Sequence, residues 1–218
     1  VVQDKKVNYF FLPPTALYAI IRQPNVRDFD WSHVKTIGIG TAPMSIPMFK
    51  KAIELWGPVF RTGLGQTEAS TFIAAMYPSE FMQNGKLVSD ERLGSVGRET
   101  CLSTLAIRAD DGTILPPREL GEIVLKGANV SLGYFDRPDL TADIRKDGWH
   151  LTGDIGYLDE EGYLYIVDRK KDMIITGGFN VYSVEVENIV NKIDGVDLAL
   201  VIGVPDPHWG EAVKAVVR

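Results

Sequence analysis

The sequence predicts an α/β protein: a parallel α/β layer, then a β-rich, barrel-like stretch, then the start of a small α+β unit. Three observations carry this. Apolar runs at residues 7–12 (VNYFFL) and 34–39 (VKTIGI) alternate with stretches of helical periodicity, the order of a parallel layer. Residues 85–168 instead string short apolar runs between turn signals such as Asp111-Gly112 and Glu161-Gly162. After Asp168, a helical stretch with Val186, Ile189, Val190 and Ile193 on one face precedes two strand-like runs, VDLALVIGV and AVKAVVR. The implied units are 1–84, 85–168 and 169–218.

The elements follow in order. Thr15 is placed to cap a short helix, ALYAIIRQ. Ser45 is placed to cap a second, in which Phe49, Ile53 and Trp56 recur at helical spacing and Gly57 follows the end. GEIVLKG reads as a strand, and IGYLDEEGYLYIVD as a hairpin turning at Glu161-Gly162. Ser183 is placed to cap the last helix, where Glu185 and Glu187 favour the positive N-terminal end and Gly195 lies beyond.

Composition bounds the function. The chain has 218 residues, 45% of them hydrophobic, enough for a globular core. A net charge of −6 argues against non-specific binding to nucleic acid or an anionic membrane. No apolar run reaches the roughly 20 residues of a membrane span. Cys101 stands alone, and His33, His150 and His208 are far apart, so neither a disulfide nor a zinc set is expected. The first residues, VVQDKKVNYFF, lack signal-peptide form, and AVKAVVR stops inside a strand, so an internal fragment of a cytoplasmic protein is expected.

Four stretches could carry chemistry. GTAP (40–43) is a turn after a strand end, where ligands of open α/β sheets bind. TGLGQTEAS (62–70) offers two glycines for close backbone approach, then a hydroxyl and a carboxylate suited to a phosphate oxygen and Mg²⁺. Its plain alternative is a strand-to-helix turn capped by threonine. GWHLTGD (148–154) ends in a carboxylate that can accept both hydrogen bonds of a vicinal diol, or simply form a surface turn. DRKKDMIITGGFN (168–180) sets a charged joint between apolar runs and then a double glycine; by themselves these are a solvated run and a turn.

Taken in order, GTAP…GLGQTE…GEIVLKGANVSLGYFDRPDLT…GWHLTGDIGYLDEEGYLYIVDRKKDMIITGGFNVYSVEVE strongly resembles the adenylate-forming superfamily, which includes acyl-CoA synthetases, peptide-synthetase adenylation domains and beetle luciferases. The likeness runs from about Ile37 to Val204 and is densest from Gly121 to Glu187. The resemblance implies an ATP-dependent ligase that activates a small-molecule carboxylic acid, a fatty acid by preference, as an acyl-adenylate and passes it to CoA. Loading a carrier protein, or nucleotide binding without catalysis, are the rival implications. Thr41, Ala42 and Pro43 would lie against the adenine; Gly63, Leu64, Gly65 and Gln66 would cover its other face and border the acyl pocket. Thr67 would meet the α-phosphate, Glu68 would hold Mg²⁺, Asp154 the ribose hydroxyls, and Arg169 the nucleotide. Lys171 would be the hinge of a mobile C-terminal domain beginning at 169, and Gly178 would line the pantetheine passage. At Leu64 the family often carries an aromatic residue. Residues 1–168 would belong to the large N-terminal adenylation domain. The family's phosphate loop and its C-terminal lysine would fall outside residues 1–218, leaving this stretch inactive by itself. The resemblance allows an oligomer without specifying one.

Overall fold

The computed structural model describes residues 1–40 and 44–218, apart from the side chain of Thr71. Strand β2 (Thr36–Ile39) pairs in parallel with β1 (Tyr9–Leu12) on one side and with β3 (Phe60–Gln66) on the other. Helix α1 (Pro14–Ile21) joins β1 to β2, and α2 (Ile46–Trp56) joins β2 to β3. This is the parallel layer the sequence predicts. Its caps differ from expectation: Pro13 takes the N-cap of α1, so Thr15 lies inside the first turn. Ser45 does hold the N-cap of α2, and Gly57 ends that helix at φ +78°.

From β3 onward the pairing is antiparallel. β4 (Ala69–Met76) is followed by the small hairpin β5 (Met82–Gln83) and β6 (Lys86–Leu87), and then by helix α3 (Asp90–Leu93). β7 (Gly97–Glu99), β8 (Ser103–Arg108) and β9 (Gly121–Gly127) come next, followed by α4 (Pro138–Asp143) and β10 (Arg145–Lys146). β11 (Trp149–Leu158) and β12 (Tyr163–Arg169) form the expected hairpin, with Gly162 at φ +80°. The order is β1-β2-β3-β4-β7-β12-β11-β9-β8, with β10 on β11: one open ten-stranded sheet. The β-rich stretch is therefore the antiparallel half of a mixed sheet, not a closed barrel.

Two apolar clusters hold this sheet. Leu17, Ile37, Phe49, Phe60 and Phe81 are almost fully buried between helices and parallel strands, and Phe49 meets Phe60 and Phe81 edge to face at 5.2 and 5.3 Å. Ile73, Leu105, Ile107, Ile123, Leu125 and Leu164 form the second cluster on the antiparallel half. β7 lies against β4 so closely that a Cβ on Gly97, at φ +97°, would sit 1.9 Å from the Ala75 carbonyl carbon. Gly97→Ala is therefore expected to cost about 3 kcal/mol of stability, from positive φ and backbone clash together. Chemical denaturation measures it; an unchanged midpoint would refute so close an approach.

A four-stranded sheet follows, ordered β14 (Phe179–Val181), β13 (Ile174–Thr176), β16 (Gly210–Val217), β15 (Ala199–Asp206). Helix α5 (Ser183–Val190) precedes β15. It stops before Ile193, and Ile189 and Ile193 are exposed, so the expected apolar face is only half covered. Ser183 is not the cap but the first helical residue. The capping carboxylate comes from Asp168, whose Oδ2 accepts from the Ser183 N–H at 2.6 Å and its hydroxyl at 2.9 Å. None of the described helices is long and apolar enough to cross a membrane.

Candidate active site

β3 and β4 meet in a tight turn of two residues, Thr67 and Glu68, with Gln66 opposite Ala69. The plain reading of a strand-to-helix turn is thus wrong, because residues 69–76 continue as strand. Gly63 has a packing reason: a Cβ there would lie 2.5 Å from both the Ala74 carbonyl oxygen and the Phe72 ring. Leu64 packs against the second apolar cluster. The chain then breaks register between Leu64 and Gln66, which lifts Gly65 and the turn away from the regular ladder.

Strand β11 supplies the facing wall. His150, Thr152 and Asp154 alternate along it and are all buried. Gly153, at φ +73°, marks a bulge where the register with β9 shifts. The Thr152 hydroxyl pins the bulge, donating to the Ile123 carbonyl at 2.7 Å and accepting from the Asp154 N–H at 3.0 Å. Asp154 lies directly across from Arg169 on β12, with Nε to Oδ1 at 2.9 Å. Burial pushes the Asp154 carboxyl above the ordinary carboxylate range, and Arg169 partly opposes this.

Gly65, Gln66, Thr67, Glu68 and Arg169 come together on one cleft of about 450 Å³, joined by Tyr134, His150 and Thr152. Asp154 does not line the cleft itself but pairs with Arg169, which does. Lys171 and Gly178 do not line it. Thr41, Ala42 and Pro43 lie outside the described residues.

Three groups escaped sequence reasoning. His150 is sandwiched between Gln66 and Arg145. Arg145 can only donate, so Nδ1 accepts and Nε2 carries the hydrogen; the Gln66 amide nitrogen stands against Nε2, and Gln66 accepts there once its amide O and N are exchanged. Burial, then Arg145, push the His150 pKa down, which keeps the ring neutral. Arg145 also donates to the Ser131 carbonyl at 2.7 Å, and the Ser131 N–H donates to the Glu68 carbonyl at 2.8 Å. The Tyr134 hydroxyl donates to Glu68 Oε1 at 2.5 Å and holds that carboxyl below the ordinary range. Nothing in the spacing of GYFDRPDLT reveals these contacts; only the fold joins residues 66 positions apart.

The charged joint is less solvated than its composition suggests. Asp168 is buried, though fully partnered. The Lys170 ammonium pairs with Glu122 at 3.0 Å and Asp110 at 2.7 Å. Lys171 is exposed and makes no ion pair among the described residues. Gly177 and Gly178, at φ +57° and +84°, form the two-residue turn between β13 and β14, which already requires glycine.

An ionised carboxylate, a hydroxyl and a guanidinium on one cleft suit a polyanion with a cation. A model of the AMP-binding enzyme family matches residues 1–135. The chain belongs to the AMP-binding enzyme family. Residues 185–218 match the AMP-binding enzyme C-terminal domain. The chain is 38% identical to a feruloyl-CoA synthase of Amycolatopsis sp. over 99% of its own length and 42% of that protein. It is 36% identical to the medium/long-chain-fatty-acid–CoA ligase FadD8 of Mycobacterium tuberculosis, over 100% of its length and 37% of that protein. Among solved structures, an O-succinylbenzoate coenzyme A synthetase from Bacillus subtilis in complex with ATP and magnesium ion superposes with a TM-score of 0.84 at 31% identity, covering 99% of this chain and 42% of that one. The chain thus spans about two fifths of the length of these AMP-binding relatives.

The cleft residues fit the groups the family implies. No group of three or more His, Cys, Asp or Glu gathers among the described residues, so a divalent cation bound here would draw on a single carboxylate of the cleft together with the phosphates. Glu68 would offer that carboxylate: its pKa is held down, and among the described residues it has no ion-pair partner and no side-chain hydrogen bond besides that from Tyr134.

Proposed function

We propose that the protein carrying this chain joins a carboxylic acid to ATP and transfers the acyl group to CoA. The observation that carries this is one cleft lined by the Glu68 carboxylate of the Thr67–Glu68 turn and by Arg169, which is paired with Asp154. A substrate carboxylate oxygen attacks the α-phosphorus, and the bond to pyrophosphate breaks. The thiol of CoA then attacks the acyl carbon, and AMP leaves with the oxygen. Mg²⁺, when bound, neutralises charge on the phosphates. Asp154 receives the two ribose hydroxyls, Arg169 faces the nucleotide, and Thr67 donates to the α-phosphate. By the family resemblance, Thr41, Ala42 and Pro43 would lie against the adenine, and Gly63, Leu64, Gly65 and Gln66 would cover its other face. An exposed, unpaired Cys101 suits a reducing compartment such as the cytoplasm.

For the acid we keep a fatty acid, on the likeness of TGGFNVYSVEVE to fatty and aryl ligases. The relatives' names span both classes, so the test uses both: acid-dependent ATP–pyrophosphate exchange by the full-length protein, with fatty and aryl acids side by side, followed by thioester formation with CoA. Exchange with no acid would remove the adenylation reading; exchange without thioester would replace CoA by another acceptor, such as a carrier protein. The 218-residue chain alone is expected to show no exchange.

Residues 169–218 form the mobile unit in this reading, with Lys171 as its hinge and Gly178 beside the CoA arm. Lys171 donates no main-chain hydrogen bond among the described residues, so Lys171→Pro restrains φ without breaking one. Thioester formation is expected to fall about tenfold or more, while exchange changes little, if each step needs its own orientation. Equal losses would take the hinge away from Lys171.

A further inference from the structure

Glu68 is held from two sides. Its main-chain carbonyl accepts from the Ser131 N–H at 2.8 Å, and its Oε1 accepts from the Tyr134 hydroxyl at 2.5 Å. The segment that brings Tyr134 is itself fixed. The Tyr134 N–H donates to the Thr141 hydroxyl oxygen at 2.9 Å, and that hydroxyl donates to the Arg137 carbonyl at 3.0 Å. Gly133, at φ +143°, packs so that a Cβ would lie 2.5 Å from the Thr141 methyl. The tyrosine therefore arrives pre-set, on a loop anchored through Thr141 as well as through the Ser131 contact to the Glu68 main chain.

A carboxylate has two oxygens and about four lone-pair sites, and one phenol occupies a single site. Glu68 has no cation within ion-pair distance among the described residues; Arg169 acts on it only from further away. A carboxylate whose Oε1 is tied to a phenol is fixed in rotamer and keeps lone pairs for a cation. Partners of this kind, one step behind a metal ligand, fix its rotamer and typically change metal affinity by about 10–100-fold.

We propose that Tyr134 is a positioning residue for the metal carboxylate: its hydroxyl holds Glu68 Oε1 so that Oε2 faces the cleft for Mg²⁺. This rests on the assignment of Mg²⁺ to Glu68 above. Tyr134→Phe removes the hydroxyl and keeps the ring. In the full-length protein with a non-hydrolysable ATP analogue, Mn²⁺ bound beyond that held by the nucleotide alone is counted by electron paramagnetic resonance. Tyr134→Phe is expected to raise the Mn²⁺ Kd about 10–100-fold. The Mg²⁺ concentration for half-maximal exchange should rise by the same factor. Glu68→Gln serves as the reference. If Glu68→Gln weakens Mn²⁺ binding and Tyr134→Phe does not, the role of Tyr134 is wrong and the ligase reading stands. If neither weakens it, the metal does not bind at Glu68 and both assignments fall. Tighter binding in Tyr134→Phe would show a hydroxyl that competes with the metal, which also overturns the proposal.

Discussion

Glu68→Gln in the full-length protein is expected to slow adenylate formation by roughly 10²–10³-fold at limiting Mg²⁺, the usual loss when one preorganised charged contact to a transition state is removed. Glutamine matches glutamate in shape and can still accept from the Tyr134 hydroxyl, so the turn and the Ser131 contact should survive. What it lacks is the negative charge that draws a divalent cation to the phosphates. The loss should shrink as Mg²⁺ is raised. Pyrophosphate exchange across a Mg²⁺ series measures this, and a variant with the parent's Mg²⁺ dependence would remove Glu68 from the metal site.

Asp154→Asn is expected to separate activity from stability. The ribose loses an acceptor for charged hydrogen bonds, each contributing about 1.5–3 kcal/mol, so kcat/KM for ATP should fall at least tenfold. The fold should not suffer. Burial raises the Asp154 carboxyl above its unfolded value, so the folded state holds that proton more tightly. Stability therefore declines as pH rises from the unfolded pKa through the folded one, and above that window the ionised group is a cost. A neutral Asn removes that cost, and its partner Arg169 is left exposed to water rather than buried. The Tm of Asp154→Asn should equal or exceed the parent's at neutral pH, and the difference should close in acid. A clear drop in Tm at neutral pH would mean the Asp154–Arg169 pair is chiefly a structural contact.

How much of this was legible in the sequence depends on the range of the interaction. Period and turn chemistry are local, so the parallel layer, the β11–β12 hairpin and the strands β15 and β16 could be read directly. Even local signals were missed, however. Asn84-Gly85 and Asp147-Gly148 have positive φ at both residues and close two-residue hairpins, yet neither is flanked by a clear apolar alternation. Thr15 and Ser183 looked like caps because their type suits a cap; the actual partners, Pro13 and the distant Asp168, are chosen by tertiary packing.

The site divides the same way. Gly65 to Glu68 and Asp154 with Arg169 were found as motifs, and the sheet brings them together because β3 and β4, and β11 and β12, are hairpins. The network that holds them was not readable. Gln66 with His150, and Glu68 with Tyr134, join positions 84 and 66 residues apart, and a histidine or tyrosine in isolation gives no sign of its partner.

The most direct test of the adenosine site varies the ligand rather than only the protein. Equilibrium binding of ATP and of 2′,3′-dideoxy-ATP to the full-length protein, compared with Asp154→Ala, isolates the ribose contact. The parent should prefer ATP by at least tenfold, in line with one charged hydrogen bond, and Asp154→Ala should bind both nucleotides alike. A variant that keeps the parent's preference for ATP would contradict the placement of ribose at Asp154, and with it the orientation of nucleotide in this cleft.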